Sequence, residues 1–408
     1  MAECGEVVMV VSRDLAARIA LIDRVGDRPY LVQSLIHSYG LLGPGRVRAV
    51  PLTPASVQDL LVFHSKDYIE FLASPVEGEE EQYGLGYDCP LLPDLQQWAR
   101  VVAGGSLTAA SHLNRGARVA INWCGGWHHA HRDSAAGFCY VNDVVLAIHR
   151  LQDRFKRVLY IDLDVHHGDG VEAAFSCTDR VATLSLHKYE PGFFPGSGGA
   201  GDTGHGRGRG YSVNVPLAEG LTDAMFVPIF SSVFQPLREV FLPDVVVVQC
   251  GADCLAQDPM GGFSLTPRSV TAAVLEVQRT GLPLLLLGGG GYHPENASRL
   301  WTGLTAAVSG QELETDIPDE DAYFLRYGPD FSLELGPGCR RNRNTEERVK
   351  ELVAETRARI RGLAKGQAGL PDKTSGEPED RPPLSELPGN VGDRKLKRLL
   401  TEEPGGKE

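Results

Sequence analysis

The chain has 408 residues, a length that leaves open one large α/β unit or two to three ordinary domains. With 42% apolar and 23% charged residues it has the composition of a globular protein with a sizeable core, which excludes disorder throughout. A formal net charge of -13 argues against a basic nucleic-acid-binding face and favours a cationic, lysine-bearing partner.

In chain order, short Val-, Ile- or Leu-rich runs alternate with stretches of helical period. The opening segment MAECGEVVMVVSRDLAARIA has an apolar run far too short to span a bilayer, and it lacks a basic start and a small-residue cleavage pattern. RVAIN (118–122) predicts a buried strand and 141–152 a helix. RVLYIDL (157–163) and VATLSL (181–186) predict two more strands, followed by a helix over 223–240. VVVVQC (245–250), a helix over 266–279, LPLLLLG (282–288) and a helix over 294–308 complete the pattern. Strands that are apolar throughout are buried on both faces, as in parallel sheets, and strand alternating with helix gives right-handed βαβ units. The fold class is α/β: a single domain with a mainly parallel multi-stranded sheet flanked by helices.

The C-terminal part has a different character. Residues 341–408 carry 15 Lys plus Arg and 13 Asp plus Glu, leaving 25 and 40 for the rest of the chain. Helical spacing over 343–361 predicts a terminal surface helix. From 366 the sequence is rich in Pro, Gly and charge and lacks apolar periodicity, so 1–365 is expected to be the folded domain and 366–408 a disordered tail. Within it GDRKLKRLL (392–400) reads as a solvated charge cluster or a weak nuclear signal. Eight Cys without a CxxC pair exclude Cys-based structural zinc and point to reduced thiols in a soluble protein of the cytosol or nucleus.

In open α/β sheets ligands bind at the carboxyl ends of strands. RVLYIDL runs into DVHHGDG, where Asp162, Asp164 and His166 stand at i, i+2 and i+4, and an extended chain would point all three the same way. VVVVQC leads to Asp253, LPLLLL to four glycines and Tyr292, and RVAINW to His128 and His129. Taken singly, an Asp after a strand is more often an N-cap or turn residue, and a glycine run more often a turn. Three acids and two His within 162–169, at the end of a buried strand, are harder to dismiss, because buried charges are unfavourable unless paired or metal-bound. An Asp-His-Asp set with an open position suits a catalytic Zn²⁺ or Fe²⁺. His128 and His129 would then move protons, the remaining acids would orient them, and Tyr292 would donate to an oxyanion. The residues read as metal-assisted amide hydrolysis.

Seven stretches, YGLGYDCP (83–90), INWCGGWHHAH (121–131), GFCYVNDVVLAI (137–148), LYIDLDVHHGDGVE (159–172), SLHKYEPGFFPGSG (185–198), GADCLAQDP (251–259) and LGGGGYH (287–293), resemble in order and spacing the class I zinc-dependent histone deacetylases. The likeness runs from about residue 7 to 340 and implies the arginase/deacetylase-like α/β fold. It implies Asp164, His166 and Asp253 as metal ligands, His129 as general base and acid, and His128 as its electrostatic partner. Asp169 would pair with His129, Asp162 with His128, and Tyr292 would hold the substrate carbonyl. Phe138 and Phe194 would wall an acyl-lysine channel beside Gly137 and Met260, with Asp88 holding the substrate backbone at the rim. Trp127, the glycines 288–291 and Arg28 would shape an inner cavity for acetate exit. The family also binds monovalent cations, K⁺ here. Asp162, Asp164, His166, Ser185 and Leu186 match one such site, and Phe175, Thr178, Val181 and Tyr211 match the other.

The implied partners are acetylated histone tails and other acetyl-lysine proteins, without direct nucleic-acid or membrane contact, in nucleus and cytoplasm. Loops at 14–28 and 75–81 depart in length from the family pattern, and they frame the channel mouth. A deacylase of acetylated polyamines or of longer acyl-lysines therefore stays open, as does a catalytically silent acetyl-lysine scaffold.

Overall fold

A computed structural model of the chain describes residues 6–367. Eight strands, β1 (Val7–Val10), β2 (Arg48–Val50), β3 (Val119–Asn122), β4 (Val158–Asp162), β5 (Val181–Lys188), β6 (Ser212–Leu217), β7 (Val245–Gln249) and β8 (Leu284–Leu287), form one sheet in the order β2-β1-β3-β8-β7-β4-β5-β6. Every neighbouring pair is parallel. The chain leaves β3 for β4 and later fills the gap between them with β7 and β8. The four strand ends that carry the candidate chemistry are therefore the four central neighbours, where ligand crevices form at the carboxyl ends of an open α/β sheet. Register aligns Asn122, Leu287, Gln249, Asp162 and Ser185 in one row, so whatever follows that row emerges at a single edge.

Strand residues divide between two faces with period 2. Val119, Ile121, Leu159, Ile161, Val246, Val248, Leu284 and Leu286 join one core, while Ala120, Val158, Tyr160, Val245, Val247, Leu285 and Leu287 join the other. Both faces are covered, which is why these strands read as unbroken apolar runs. The edge strand β2 instead exposes Arg48 and Ala49.

Sequence reasoning found five strands and missed β1, β2 and β6. β1 and β2 are only four and three residues long, and β6 is interrupted by Ser212, Asn214 and Pro216. It also missed the helix Leu95–Asn114, whose Ala- and Gly-rich surface is buried nearly all round and shows no polar stripe. The expected terminal surface helix spans Glu346–Gln367 and is more anchored than expected, with Thr356 and Ile360 buried. Apart from residues 366 and 367, the stretch expected to be a disordered tail, including 392–400, lies outside the described residues. Among those described, no helix is long and apolar enough to cross a membrane.

One buried histidine braces the loop that leaves β3. The Asn142 N–H donates to His64 Nε2 at 3.0 Å, and His64 Nδ1 lies 3.2 Å from the Arg132 carbonyl, which fixes the neutral Nδ1–H tautomer. Asn142 caps the helix Asp143–Leu151 and donates through Nδ2 to the carbonyls of His128 and Ala130. Burial lowers His64 to about 4, outweighing the help of the Arg132 carbonyl. Below pH about 6.5 the unfolded chain binds a proton here that the folded chain refuses, until about pH 4. The stability from a neutral His64 is therefore complete above pH about 6.5 and is lost as pH falls to about 4, at most ~3 kcal/mol. Thermal melts of wild type and His64→Gln at pH 7 and pH 5 should show the variant losing less melting temperature on acidification; equal losses would count against a buried neutral His64.

Candidate metal centre

Asp164, His166 and Asp253 come together beyond the ends of β4 and β7, with ligand atoms within 4.8 Å of one another and all three side chains buried. His166 Nδ1 lies 3.1 Å from Asp164 Oδ1 and 3.0 Å from Asp253 Oδ2. The other oxygens are taken by the protein. Asp164 Oδ2 accepts from Gly290 N and Gln249 Nε2, both at 2.9 Å, and Asp253 Oδ1 accepts from Val165 N at 2.9 Å. Two carboxylates this deep repel each other: burial and Asp164 push Asp253 up to about 7. Burial disfavours an imidazolium at His166, but both carboxylates outweigh it and raise the ring to about 10. The pocket demands a positive charge between its donors. An oxygen–nitrogen–oxygen set of this kind fits a divalent ion, and no other such group occurs among the described residues.

Asp162, Asp164 and His166 alternate with the core residues Leu163 and Val165, in keeping with the expected common direction. Beyond Asp162 the chain runs on extended beside its neighbours, Leu163 N donating to the Gln249 carbonyl and Lys188 N to the Val165 carbonyl, with Asp164 N donating to Asp162 Oδ1 and His166 N to Asp164 Oδ1. Asp162 meets His128, whose Nδ1 is 2.7 Å from its Oδ2, and that same oxygen accepts from the Tyr160 hydroxyl at 2.6 Å. His129 Nδ1 lies 2.7 Å from Asp169 Oδ1. The two rings sit 3.9 Å apart, yet their protonation is pushed in opposite directions. Burial works against charge on both. At His128 the charges of Asp162 and Asp164 overcome it and raise the ring to about 9, whereas at His129 burial and the charge of His128 prevail and lower it to about 4. His129 is thus the neutral member, with Nδ1 held by Asp169 and Nε2 left as an acceptor. Despite burial, Asp169 is kept well below the usual carboxylate range by His129 and His131.

Tyr292 follows Gly290 and Gly291 and lines one narrow cavity with His129, Asp164 and His166, reached from below by Arg28 and Trp127. Burial and the nearby Asp253 and Asp164 hold its phenol far above its ordinary range, so it stays protonated and able to donate. The Phe194 ring meets His129 edge-on at 4.8 Å and is 42% exposed, and Phe138 meets Tyr292 edge-on at 5.7 Å. Gly137 lies between: a Cβ there would strike the His129 and Phe194 rings. Asp88 Oδ2 accepts the Gly137 N–H at 2.7 Å, so this carboxylate holds the Gly137 backbone beside His129 and Phe194. Met260 is half-buried on the loop after Asp253. Of the residues matched to cation sites, Asp162 and Ser185 are register partners at the sheet edge beside Leu186. Phe175 and Thr178 share a turn before Val181 opens β5, and the Tyr211 carbonyl accepts from Thr183 in that strand.

Sequence reasoning missed the groups that hold this arrangement. Asp143 accepts from Gly126 N at 3.0 Å, from Trp127 N at 2.8 Å and from Ser106, which locks the approach to His128. Gln249, Asn142, Tyr160 and Asp258 are likewise buried polar residues near the site. A Gln closing VVVV and a Tyr two residues before Asp162 were visible signals; Asp143 and Asn142 read only as a helix start.

Residues 25–308 match the family model described as the histone deacetylase domain. The chain is 46% identical over 345 residues to histone deacetylase 8 of Xenopus tropicalis, covering 83% of this chain and 93% of that one. It is 44% identical over 364 residues to histone deacetylase 8 of Danio rerio, covering 88% and 96%. Histone deacetylase 1 of Oryza sativa subsp. japonica is 41% identical over 365 residues, 88% of this chain and 68% of that one.

Gly290 tests the metal reading without replacing a ligand. A Cβ at this position would overlap Asp253 Oδ2 and crowd Asp164 Oδ2 at 3.0 Å. Gly290→Ala should therefore fold but bind less divalent metal per chain, as read by elemental analysis after dialysis; full occupancy would mean that the carboxylates are free to move aside.

Proposed function

We propose that this chain, which belongs to the histone deacetylase family, works with Zn²⁺ held by Asp164, His166 and Asp253. It is a hydrolase that removes the acetyl group from N-acetyl-lysine in histones and other proteins, releasing acetate. The observation that carries the mechanism is the juxtaposition of the Asp-His-Asp set with a neutral His129 whose Nδ1 is fixed by Asp169. When bound, the metal would act as a Lewis acid toward the acetyl carbonyl and make water a better nucleophile.

The protein's own groups do the rest. Phe138 and Phe194 flank a slot suited to the four methylenes of lysine, and closing it excludes water. His129 Nε2 takes a proton from the attacking water and later gives it to the lysine nitrogen as the C–N bond breaks. His128, held charged by Asp162, adds positive potential where the carbonyl oxygen gains charge. Tyr292 donates to that same oxygen. Fe²⁺ suits the same donors. K⁺ at Asp162, Asp164, His166, Ser185 and Leu186, and at Phe175, Thr178, Val181 and Tyr211, would offset the negative charge gathered beneath the site. A role in transcriptional repression, in nucleus and cytoplasm, follows from histone substrates, and the seven described cysteines, all free, accord with a reducing compartment.

Three measurements separate this reading from the alternatives. An acetyl-lysine peptide should exceed acetylspermidine and a myristoyl-lysine peptide in kcat/KM, and the reverse order would make the chain a polyamine or long-chain deacylase. His129→Ala should abolish turnover while metal content stays at the wild-type level; retained turnover would move the base to His128. Tyr292→Phe should keep metal and peptide binding and lose about 10² to 10³ in kcat. Wild-type turnover in that variant would reduce Tyr292 to packing.

A further inference from the structure

One peptide group decides where the Tyr292 ring goes. It joins Gly291 to Tyr292 on the loop that leaves β8. Its carbonyl accepts from Arg28 Nη1 at 2.7 Å, and its N–H donates to Asp258 Oδ2 at 2.7 Å. Both side chains are buried, at 2% and 3% exposure. The second oxygen of Asp258 accepts the Met260 N–H at 2.9 Å. A guanidinium at the carbonyl end and a carboxylate at the N–H end match the peptide dipole, so rotating this plane breaks a charge-assisted bond at each end. The glycine itself offers no such restraint, since Gly291 stands at φ +131 and has the widest backbone freedom.

Asp258 is itself presented rigidly. Gln257 before it takes a left-handed φ of +70, Pro259 follows it, and Ala256 N is bonded to the Leu265 carbonyl at 2.8 Å. Among the described residues Asp258 makes no ion pair within 4.0 Å. A buried carboxylate without a contacting cation is unfavourable for the fold alone. Its two side-chain acceptor contacts both go to backbone N–H groups, those of Met260 and Tyr292, and Tyr292 lines the cavity that holds His129, Asp164 and His166.

We propose that Asp258 is a positioning residue for the reaction: it fixes the Gly291–Tyr292 peptide so that the Tyr292 hydroxyl meets the substrate carbonyl oxygen. The inference rests on Tyr292 acting as the oxyanion donor, and the test separates the two. The full chain, loaded with metal, is assayed for kcat and KM on an acetyl-lysine peptide as wild type, Asp258→Asn, Tyr292→Phe and the double variant. An amide oxygen can serve only one of the two N–H groups while its NH₂ opposes the other. A donor displaced by about 1 Å can cost on the order of 10² in rate, so Asp258→Asn should lower kcat about tenfold to a hundredfold, with metal content unchanged and KM moved by less than about threefold. In the Tyr292→Phe background, where no hydroxyl remains to misplace, the same change should alter kcat by less than about twofold.

Wild-type kcat in Asp258→Asn overturns the inference, as does an Asp258→Asn loss that persists in full beside Tyr292→Phe, which would mark Asp258 as merely structural. A Tyr292→Phe variant with wild-type turnover overturns the donor role itself, and the inference with it. If Asp258→Asn fails to fold, Asp258→Glu, which keeps the charge and lengthens the arm by one methylene, is read in the same cycle against the same outcomes.

Discussion

Two carboxylates buried against one imidazole nitrogen are the constraint on which the rest of the structure depends. Asp164 and Asp253 are at most 1% exposed and face His166 Nδ1 at 3.0 to 3.1 Å. Removing two like charges from water to this depth is unfavourable by several kcal/mol per ion unless a cation and hydrogen bonds compensate. The fold supplies four hydrogen-bond donors from three places: Val165 and His166 on the β4 loop, Gln249 at the end of β7, and Gly290 after β8. These donors are available because register brings the central strands to a common end, so the sheet topology and the electrostatics of the site are one problem with one solution. The cation is the part that protein atoms leave to a ligand.

The same logic runs outward. The loop carrying His128 and His129 has no regular structure of its own, and its backbone is tied down by Asp143 from one side and by Asn142 from the other. Asn142 in turn depends on His64, and Asp143 on Ser106. Each tie is a buried polar group with its partners satisfied, the condition under which a polar network specifies one geometry instead of weakening the core. Tyr292 sits at the end of an analogous chain through Gly291, Arg28 and Asp258. Loops give the chemistry reach, and buried side chains give the loops precision.

How far the sequence could be read follows from this division. The central strands β3, β4, β7 and β8 were legible because burial on both faces leaves unbroken apolar runs, and their ends named the residues that carry charge. β1, β2 and β6, short or broken by polar residues, left no such trace, and the helix Leu95–Asn114, buried nearly all round, showed no stripe to read. At the site, the conjunction of Asp164, His166 and Asp253 was visible, and the alternation of Asp162, Asp164 and His166 with Leu163 and Val165 followed from carrying the strand period past its last residue. Asp143 and Asn142 stayed hidden for another reason. Their types are those of any helix start, and only the fold reveals that both hold the loop carrying His128.

The two adjacent histidines show why the positions of the acids matter more than their number. Each ring faces one carboxylate at 2.7 Å, and each is buried, so pairwise contacts predict two similar groups. The difference lies one layer out. His128 has a second carboxylate, Asp164, 3.9 Å from Nε2, whereas His129 has His128 as a close neighbour, and Asp169 divides its hydrogen bonds between His129 and His131. Once His128 is charged, a second positive ring 3.9 Å away is disfavoured, so His129 is held neutral by its neighbour as much as by burial. Divergent protonation of paired groups is how a site obtains an acceptor and an electrostatic anchor from a single residue type. Here it follows from sheet register, because Asp162 and Asp164 both leave β4 while Asp169 belongs to the helix Asp169–Phe175 beyond it.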